Sequence, residues 1–179
     1  MKFTHFAIPG PILVEPQVHE DPRGAFWEWY RKDLYAANGI REEFVQDNES
    51  FSVKGVLRGL HWQVEPKAQA KLIRVVRGEI FDAAVDVRPG SSSFGRWIGQ
   101  RLTAASRQLL YLPPGFAHGF LVLSDEADVL YKVSALYDPA LEQGLLWNDP
   151  EVGIRWPDVG MAYLVSEKDK KNPPLKKFR

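Results

Sequence analysis

The sequence contains no cysteine. Disulfide bonds, thiolate metal ligands and thiol nucleophiles are therefore excluded, which removes several classes of enzyme at once. An excess of charge of one sign is also missing, because 23 Lys and Arg residues balance 23 Asp and Glu residues. Such a chain has no general electrostatic field for nucleic acid or for an anionic membrane surface, so neither is expected as a partner.

Long hydrophobic runs are absent too. No stretch approaches the roughly 18 apolar residues that a membrane-spanning helix needs. The chain begins directly with strand-like residues, so the sequence predicts no signal peptide and, by default, a cytoplasmic location. With 179 residues and 45% hydrophobic content, it can bury a full core, and we expect one domain over residues 1–179.

Helix-forming patterns are scarce, and the periodicity of the apolar residues predicts an all-β fold. Residues 71–78 and 79–88 alternate as two strands joined at Gly78, and further strands are predicted at 101–103, 108–113, 120–124 and 129–134. One short helix is predicted at residues 33–39 with Asp33 as its N-cap, and a second short turn at 139–143. These elements fit an antiparallel β-sandwich or jelly roll with one or two short helices.

The segment Gly55-Val-Leu-Arg-Gly-Leu-His61 carries the clearest chemical signal. It resembles the first metal-binding motif of the cupins, in which a second His and a later Glu complete the ligand set. Gln63 and Lys71 stand at those two places. A lysine ammonium has no lone pair at neutral pH and repels a divalent ion. We therefore expect His61 to act without a metal.

A second segment, Pro113-Pro-Gly-Phe-Ala-His118, resembles the second cupin motif but lacks its final Asn. Two histidines with a lysine between them predict proton transfer and stabilisation of an anion, and hence an acid–base enzyme. The alternative is that these histidines are structural, which is how we interpret His5 and His19. The polar residues Arg58, Gln63, Gln69 and Lys71 favour a site, because buried polar groups need partners.

Eight segments in register make the resemblance more specific. They are Asp21-Pro-Arg-Gly-Ala-Phe26, Phe44-Val-Gln-Asp-Asn48, Gly55 to His61, Gln69 to Asp82, Pro114-Gly-Phe-Ala-His-Gly-Phe120, Tyr131-Lys132, Trp147-Asn-Asp-Pro150 and Leu164-Val-Ser-Glu-Lys-Asp169. Together they resemble the dTDP-4-dehydrorhamnose 3,5-epimerases. The resemblance implies a cupin-type jelly roll that converts a dTDP-linked 4-keto-6-deoxyglucose to its rhamnose-configured isomer with no metal and no organic cofactor.

The resemblance also implies catalytic roles. His61 matches the general base and Asp169 the carboxylate that orients it, while Tyr131 matches the acid that protonates the opposite face. Lys71 matches the cation beside the ketone oxygen, where enolate charge develops. Arg58 and His118 match further residues of the same pocket.

For the nucleotide half, the resemblance implies substrate contacts from Arg23, Glu28, Gln46, Asp47, Asn48, Glu142 and Lys168. Phe26 and Tyr137 are candidates to stack on the base. Structural alternatives stay open, because Phe26 belongs to the aromatic run 26–30 and Glu28 fits an outward-facing strand position. Asp82 lies in an otherwise apolar strand and receives no firm role. The other basic residues of the tail are interpreted as a solvated end.

The resemblance further implies a homodimer whose first strands cross to the neighbour, so that Arg23, Phe26 and Glu28 serve the partner's site. Trp62 departs from the Tyr that members often have, and Leu136 replaces an aromatic residue. Three alternatives remain open: an epimerase acting on one carbon of a related keto-sugar, a cupin that binds a sugar nucleotide without turnover, and a metal-dependent cupin oxygenase.

Overall fold

The computed structural model describes residues 1–179, and β-strands dominate it. In chain order the strands are β1 (Lys2–His5), β2 (Ile12–Glu15), β3 (Val18–Asp21), β4 (Gly24–Trp27), β5 (Gln46–Val53), β6 (Val56–Gln63), β7 (Lys71–Arg77), β8 (Glu79–Asp86), β9 (Trp97–Thr103), β10 (Leu109–Leu112), β11 (Phe116–Val122), β12 (Glu126–Val133), β13 (Glu142–Gly144) and β14 (Leu164–Val165). The single α-helix, α1, spans Lys32–Ala37. The predicted all-β class is confirmed.

Twelve of these strands form two antiparallel sheets that face each other. The first sheet has the order β1-β2-β10-β7-β12-β5 and the second has the order β13-β6-β11-β8-β9, with β14 added parallel to β6. The strands β3 and β4 form a separate hairpin. Apolar side chains from both sheets, such as Ile73 and Val129 from the first and Ile80 and Phe120 from the second, pack into a shared core. Each such side chain contributes roughly 1.5–3 kcal/mol on burial. No helix is long and apolar enough to cross a membrane.

The predicted joint between β7 and β8 is present at Gly78. Its φ is +77°, and a Cβ atom there would lie 2.0 Å from the carbonyl oxygen of Glu126. Only glycine tolerates both conditions, so this turn depends on the residue type. The turn passes the chain from the first sheet to the second, so β7 and β8 carry their polar residues to opposite walls of the sandwich.

Two local predictions need correction. The helix α1 begins one residue early, with Arg31 at the N-cap position, and Asp33 lies in its first turn. Asp33 accepts a hydrogen bond from Arg31 Nε at 2.9 Å instead of capping the helix, although a carboxylate in the first turn still favours the helix dipole. Of the turn predicted at residues 139–143, only 139–141 form a turn. Glu142 already begins β13, which pairs with the edge of β6.

The C-terminal segment is held against the body, although its lysines are exposed as predicted. It forms two 3-10 turns, Asp169–Lys171 and Leu175–Phe178. Leu175 is buried, and the Phe178 ring packs edge-on against Trp62 with 4.9 Å between centroids. The buried carboxylate of Asp149 accepts a hydrogen bond from the backbone N–H of Leu175 at 2.8 Å. This docking fixes the turn that carries Asp169.

Candidate active site

A cavity of about 670 Å³ opens between the two sheets and contains the predicted catalytic residues in its walls. Its lining includes His61, Lys71, His118, Tyr131 and Asp169. A second cavity of about 310 Å³ shares three of these side chains, those of His61, Lys71 and Tyr131. The two spaces therefore meet at the predicted catalytic residues, and together they form one cleft with two ends.

His61 and Asp169 form a hydrogen-bonded pair, which we call the dyad. His61 Nε2 lies 2.6 Å from Asp169 Oδ1, and the carboxylate is almost fully buried. Because a carboxylate can only accept, the neutral imidazole carries its proton on Nε2 and keeps a lone pair on Nδ1. Burial alone raises the pKa of Asp169, but the hydrogen bonds from His61 and from the Gly59 N–H outweigh it and hold that pKa below its ordinary value.

Backbone and side-chain contacts fix the dyad from both sides. The N–H of Gly59 donates to Asp169 Oδ2 at 3.2 Å, and the N–H of Asp169 donates to Ser166 Oγ at 3.0 Å. Gly59 has a φ of +112°, and a Cβ there would lie 2.6 Å from the carbonyl oxygen of His118. Glycine thus allows β6 to approach β11 closely at this point, which places His118 opposite His61 in the sheet.

Lys71 stands at the start of β7, in the first sheet, with only 9% of its surface exposed. Its ammonium group donates to the carbonyl oxygen of His61 at 3.1 Å. Burial lowers the pKa of Lys71 to about 8, although the negative charges of Asp82 and Glu142 oppose the shift. The cleft therefore contains a desolvated cation within reach of the base, which suits it to stabilise an oxyanion.

Tyr131 lies on β12, in the sheet opposite to that of His61. It pairs with Asn48 of β5 on one side and with Ile73 of β7 on the other. Burial raises the pKa of Tyr131, while the nearby charge of Arg58 opposes the rise. The phenol therefore keeps its proton at neutral pH, as an acid must. A base on one wall and an acid on the facing wall can address two faces of the same substrate.

A second imidazole–carboxylate pair lies beside the dyad, and its carboxylate had no role assigned from the sequence. His118 Nε2 lies 2.8 Å from Asp82 Oδ2, and Asp82 is completely buried. The other oxygen, Asp82 Oδ1, has no hydrogen-bond partner. The signal in the sequence was a single carboxylate within the apolar run of β8, but its partner lies on a strand 36 residues away.

The predicted substrate contacts divide into those that line the cleft and those that do not. Arg58 and Lys168 line the larger cavity, and Gln46, Asn48, Tyr137 and Glu142 line the smaller one. Arg58 is held by Ser52, whose Oγ accepts from Arg58 Nε at 3.0 Å. Asp47 points the other way: its side chain is 69% exposed and pairs with Lys132 on the outer face. Side chains alternate along a strand, so Asp47 cannot share the face of its neighbours.

Glu142 connects the smaller cavity to the dyad. Its carboxylate contacts the ammonium of Lys168 and accepts a hydrogen bond from the hydroxyl of Tyr137 at 3.3 Å. Burial raises the pKa of Glu142, but the hydrogen bonds from Lys168 and Tyr137 and the charge of Lys168 outweigh it, so the net shift is downward. An ionised carboxylate is therefore fixed near the mouth of the cleft.

Three predicted residues lie away from the cleft of their own subunit. Arg23, Phe26 and Glu28 belong to or follow the β3–β4 hairpin, and none of them lines either cavity. Phe26 is 74% exposed, which excludes the alternative that it is a core residue of an isolated subunit. Arg23 contacts only Asp21 of its own turn, at 2.5 Å. His5 and His19 are exposed and also lie outside the cleft. No group of three or more His, Asp or Glu side chains converges in a geometry that could hold a metal ion.

Comparisons with known proteins agree with this site. A family model described as dTDP-4-dehydrorhamnose 3,5-epimerase matches residues 5–177. The dTDP-4-dehydrorhamnose 3,5-epimerase of Methanothermobacter thermautotrophicus is 49% identical over 176 residues, which cover 98% of this chain and 95% of that protein. The dTDP-4-dehydrorhamnose 3-epimerase of Streptomyces niveus is 44% identical, covering 88% of this chain and 76% of that protein.

The fold agrees with solved structures as well. The crystal structure of a 3,5-epimerase from Legionella pneumophila, in complex with dTDP-4-keto-L-rhamnose, superimposes with a TM-score of 0.93. It is 41% identical in sequence, and the match covers 98% of this chain and 93% of that one. The cupin-like jelly roll that the sequence predicted is therefore confirmed, and the chain belongs to the dTDP-4-dehydrorhamnose 3,5-epimerase family.

Proposed function

We propose that His61, Lys71 and Tyr131 carry out the reaction that family membership assigns to this chain, the epimerisation of dTDP-4-keto-6-deoxy-D-glucose at carbons 3 and 5 to dTDP-4-keto-L-rhamnose. One observation supports the proposal above all. The base and the acid come from opposite sheets of one cavity, and a buried lysine lines the same cavity and donates a hydrogen bond to the carbonyl oxygen of the base. Inversion needs such a two-sided arrangement, because a base that returned its own proton would restore the starting configuration.

Every proton that moves in the proposed reaction has a donor and an acceptor in the site. His61 Nδ1 takes the proton from the carbon beside the ketone, and the electron pair of the broken C–H bond moves onto the ketone oxygen as an enolate. Asp169 stabilises the imidazolium, and the Lys71 ammonium stabilises the enolate. Tyr131 then donates its phenolic proton to the opposite face of the same carbon. Proton exchange with solvent returns His61 and Tyr131 to their starting states. Carbons 3 and 5 both flank the ketone, so one enolate site can serve both.

The smaller cavity suits the nucleotide half of the substrate. Its side chains Gln46, Asn48, Tyr137 and Glu142 offer hydrogen-bond donors, acceptors and one aromatic ring that is half exposed. Lys168 lies beside Glu142 and adds a cation that can face a phosphate oxygen. In this arrangement the sugar occupies the region between Tyr131 and His61, and the dTDP group extends toward the mouth of the cleft.

We further propose that two subunits exchange their β3–β4 hairpins, so that Arg23, Phe26 and Glu28 complete the partner's cleft. The exposed Phe26 and the isolated hairpin support this arrangement, as does the open outer edge of β5, whose Phe51 side chain is half exposed. An uncovered strand edge favours pairing with another chain. A single domain over residues 1–179 fits the shared core of the two sheets, and a cytoplasmic location stays a prediction from the sequence.

Complementation tests the exchange. Co-expression of a His61→Ala subunit with an Arg23→Ala subunit should restore activity, because one site of each mixed dimer combines an intact core with an intact hairpin. Random pairing leaves about a quarter of all sites intact, and that fraction of wild-type activity is expected. Each variant expressed alone serves as the control. Activity no higher than that of the separate variants contradicts the exchange.

Proton NMR in deuterated water tests the reaction itself. With dTDP-4-keto-6-deoxy-D-glucose as substrate, deuterium should enter at both carbons 3 and 5, and the His61→Ala variant should bind nucleotide without any exchange. His5→Ala, a change on the exposed β1 strand, provides a matched control and should behave as wild type. Exchange at one carbon alone identifies a single-carbon epimerase, a candidate that the Streptomyces niveus relative keeps open. No exchange at either carbon contradicts the catalytic proposal and leaves a protein that only binds sugar nucleotides.

A further inference from the structure

The strand β5 has an unusual distribution of polar residues. Its inward-facing side chains are Gln46, Asn48, Ser50 and Ser52, while the alternating positions, including Phe51, face outward and are exposed. A strand that packs on an apolar core normally shows the opposite pattern, with apolar residues inside. The polar face of β5 therefore borders the cleft instead of the core.

Within this polar face, three of the four side chains have partners in the protein. Gln46 Nε2 donates to Asn48 Oδ1 at 2.9 Å, and Gln46 Oε1 accepts from the N–H of Tyr137 at 3.0 Å. Ser52 Oγ accepts from Arg58 Nε at 3.0 Å. Ser50 is the exception, because its hydroxyl is shielded from solvent and has no hydrogen-bond partner. A buried hydroxyl without a partner is unfavourable, since it loses its water and gains nothing in return.

The register places this hydroxyl beside the proposed acid. Ser50 pairs with Val129, and Asn48 pairs with Tyr131, so Ser50 and Tyr131 are diagonal neighbours on the same face of the sheet. Ser50 also lines the larger cavity together with Tyr131 and Arg58. Ser50 thus lies in the wall of the space where the sugar would sit, next to Tyr131. Rotation about its Cα–Cβ bond to another staggered rotamer would turn the shielded hydroxyl toward that space.

We propose that the Ser50 hydroxyl hydrogen-bonds an oxygen substituent of the hexose and so orients the sugar face that Tyr131 protonates. The proposal rests on the function proposed above. It assigns Ser50 to substrate recognition and explains why a serine without a partner is buried there. Replacing it by alanine removes one hydrogen bond to the bound sugar and, in the free protein, removes an unfavourable buried group.

Two readouts with opposite signs test this assignment. Ser50→Ala should lower kcat/KM by roughly five- to tenfold, the effect of one net hydrogen bond, while the Tm of the ligand-free protein stays equal or rises. Ser52→Ala is the matched control on the same face. It removes the partner of Arg58 and should lower the Tm. A lower Tm for Ser50→Ala, or a kcat/KM within twofold of wild type, overturns the assignment.

Calorimetry separates this proposal from the catalytic one. In a His61→Ala background, where no turnover is expected, the added Ser50→Ala change should weaken binding of the sugar nucleotide by the same factor and leave the affinity for dTDP unchanged. This comparison holds even if wild-type protein exchanges no protons, because it measures binding alone. An equal loss of affinity for dTDP overturns the assignment to the sugar.

Discussion

The substitution Asp169→Asn is the most direct test of the proposed dyad. Asp169 accepts two hydrogen bonds, one from His61 and one from the N–H of Gly59. An asparagine offers one acceptor and one donor group, so it cannot replace both. If its oxygen faces Gly59, its NH2 group faces His61, and the imidazole must carry its proton on Nδ1, where the base needs a lone pair. If its oxygen faces His61, its NH2 group meets the N–H of Gly59.

The expected loss of activity follows from the free-energy difference between these two orientations of the asparagine side chain. A buried donor without an acceptor costs about 1–3 kcal/mol, so the orientation with the inactive tautomer should dominate by roughly five- to 150-fold. Loss of the anion beside the imidazolium adds to this, and removal of general-base catalysis sets the scale at about 10²–10⁴-fold. We expect kcat to fall within that range, with dTDP affinity near that of wild type.

Deuterium incorporation at carbons 3 and 5, followed in a single turnover, measures the proton-abstraction step directly. The rate should fall at both carbons together, because one base serves both. The Lys171→Ala variant, an exposed position two residues further along the same turn that lines neither cavity, is the control. Wild-type exchange rates in Asp169→Asn, at either carbon, would refute the assignment of Asp169 as the carboxylate that sets the tautomer of His61.

Three further predictions follow from the same geometry. Tyr131→Phe should retain proton exchange at the carbons beside the ketone but lose inversion there, and inverted product at the wild-type rate contradicts its role as the acid. Because burial lowers the pKa of Lys71 to about 8, kcat/KM should fall as the pH rises above that value. In Lys71→Arg this decrease of kcat/KM at high pH should be absent. The unfolded chain holds the Lys71 proton more tightly than the folded one, so stability should increase between about pH 8 and 10.5, by about 3 kcal/mol in chemical denaturation. Asp149→Ala should leave three backbone N–H groups without an acceptor and lower the free energy of unfolding by about 3 kcal/mol, with catalysis lost as the tail loosens.

The sequence predicted the strands well where their periodicity was local. The consecutive strands β7 and β8 stand close to their predicted positions, since alternation of apolar residues and a fixed glycine turn are properties of a short window. The strands β11 and β12 begin four and three residues earlier than predicted. The N-cap of α1 was misplaced by two residues, because the Asp33 carboxylate accepts a hydrogen bond from Arg31 and does not cap the helix. The strand β13 was missed because it exists only through its pairing with β6.

The candidate site was predictable only in part, and for a physical reason. The two histidines and the lysine stood out as unusual residues in cupin-like motifs, and the structure brings them into one cavity. Asp82 received no role because its partner His118 lies on a neighbouring strand, and register across a sheet cannot be read from either strand alone. Asp47 was grouped with its neighbours through the family resemblance, although alternation along β5 already placed it on the outer face.

The charges in the cleft explain how one cavity can serve proton transfer at two carbons. Before reaction the ammonium of Lys71 already lies near the carboxylate of Asp82, and the neutral imidazole of His61 already faces Asp169. In the reaction proposed above, abstraction of the proton creates one positive charge on His61 and one negative charge on the ketone oxygen. Each new charge then meets an opposite charge that is already in place, Asp169 for the first and Lys71 for the second. Because no group must reorient when the charges appear, the barrier is lowered by preorganisation, and the same pair of charges can form again at the second carbon.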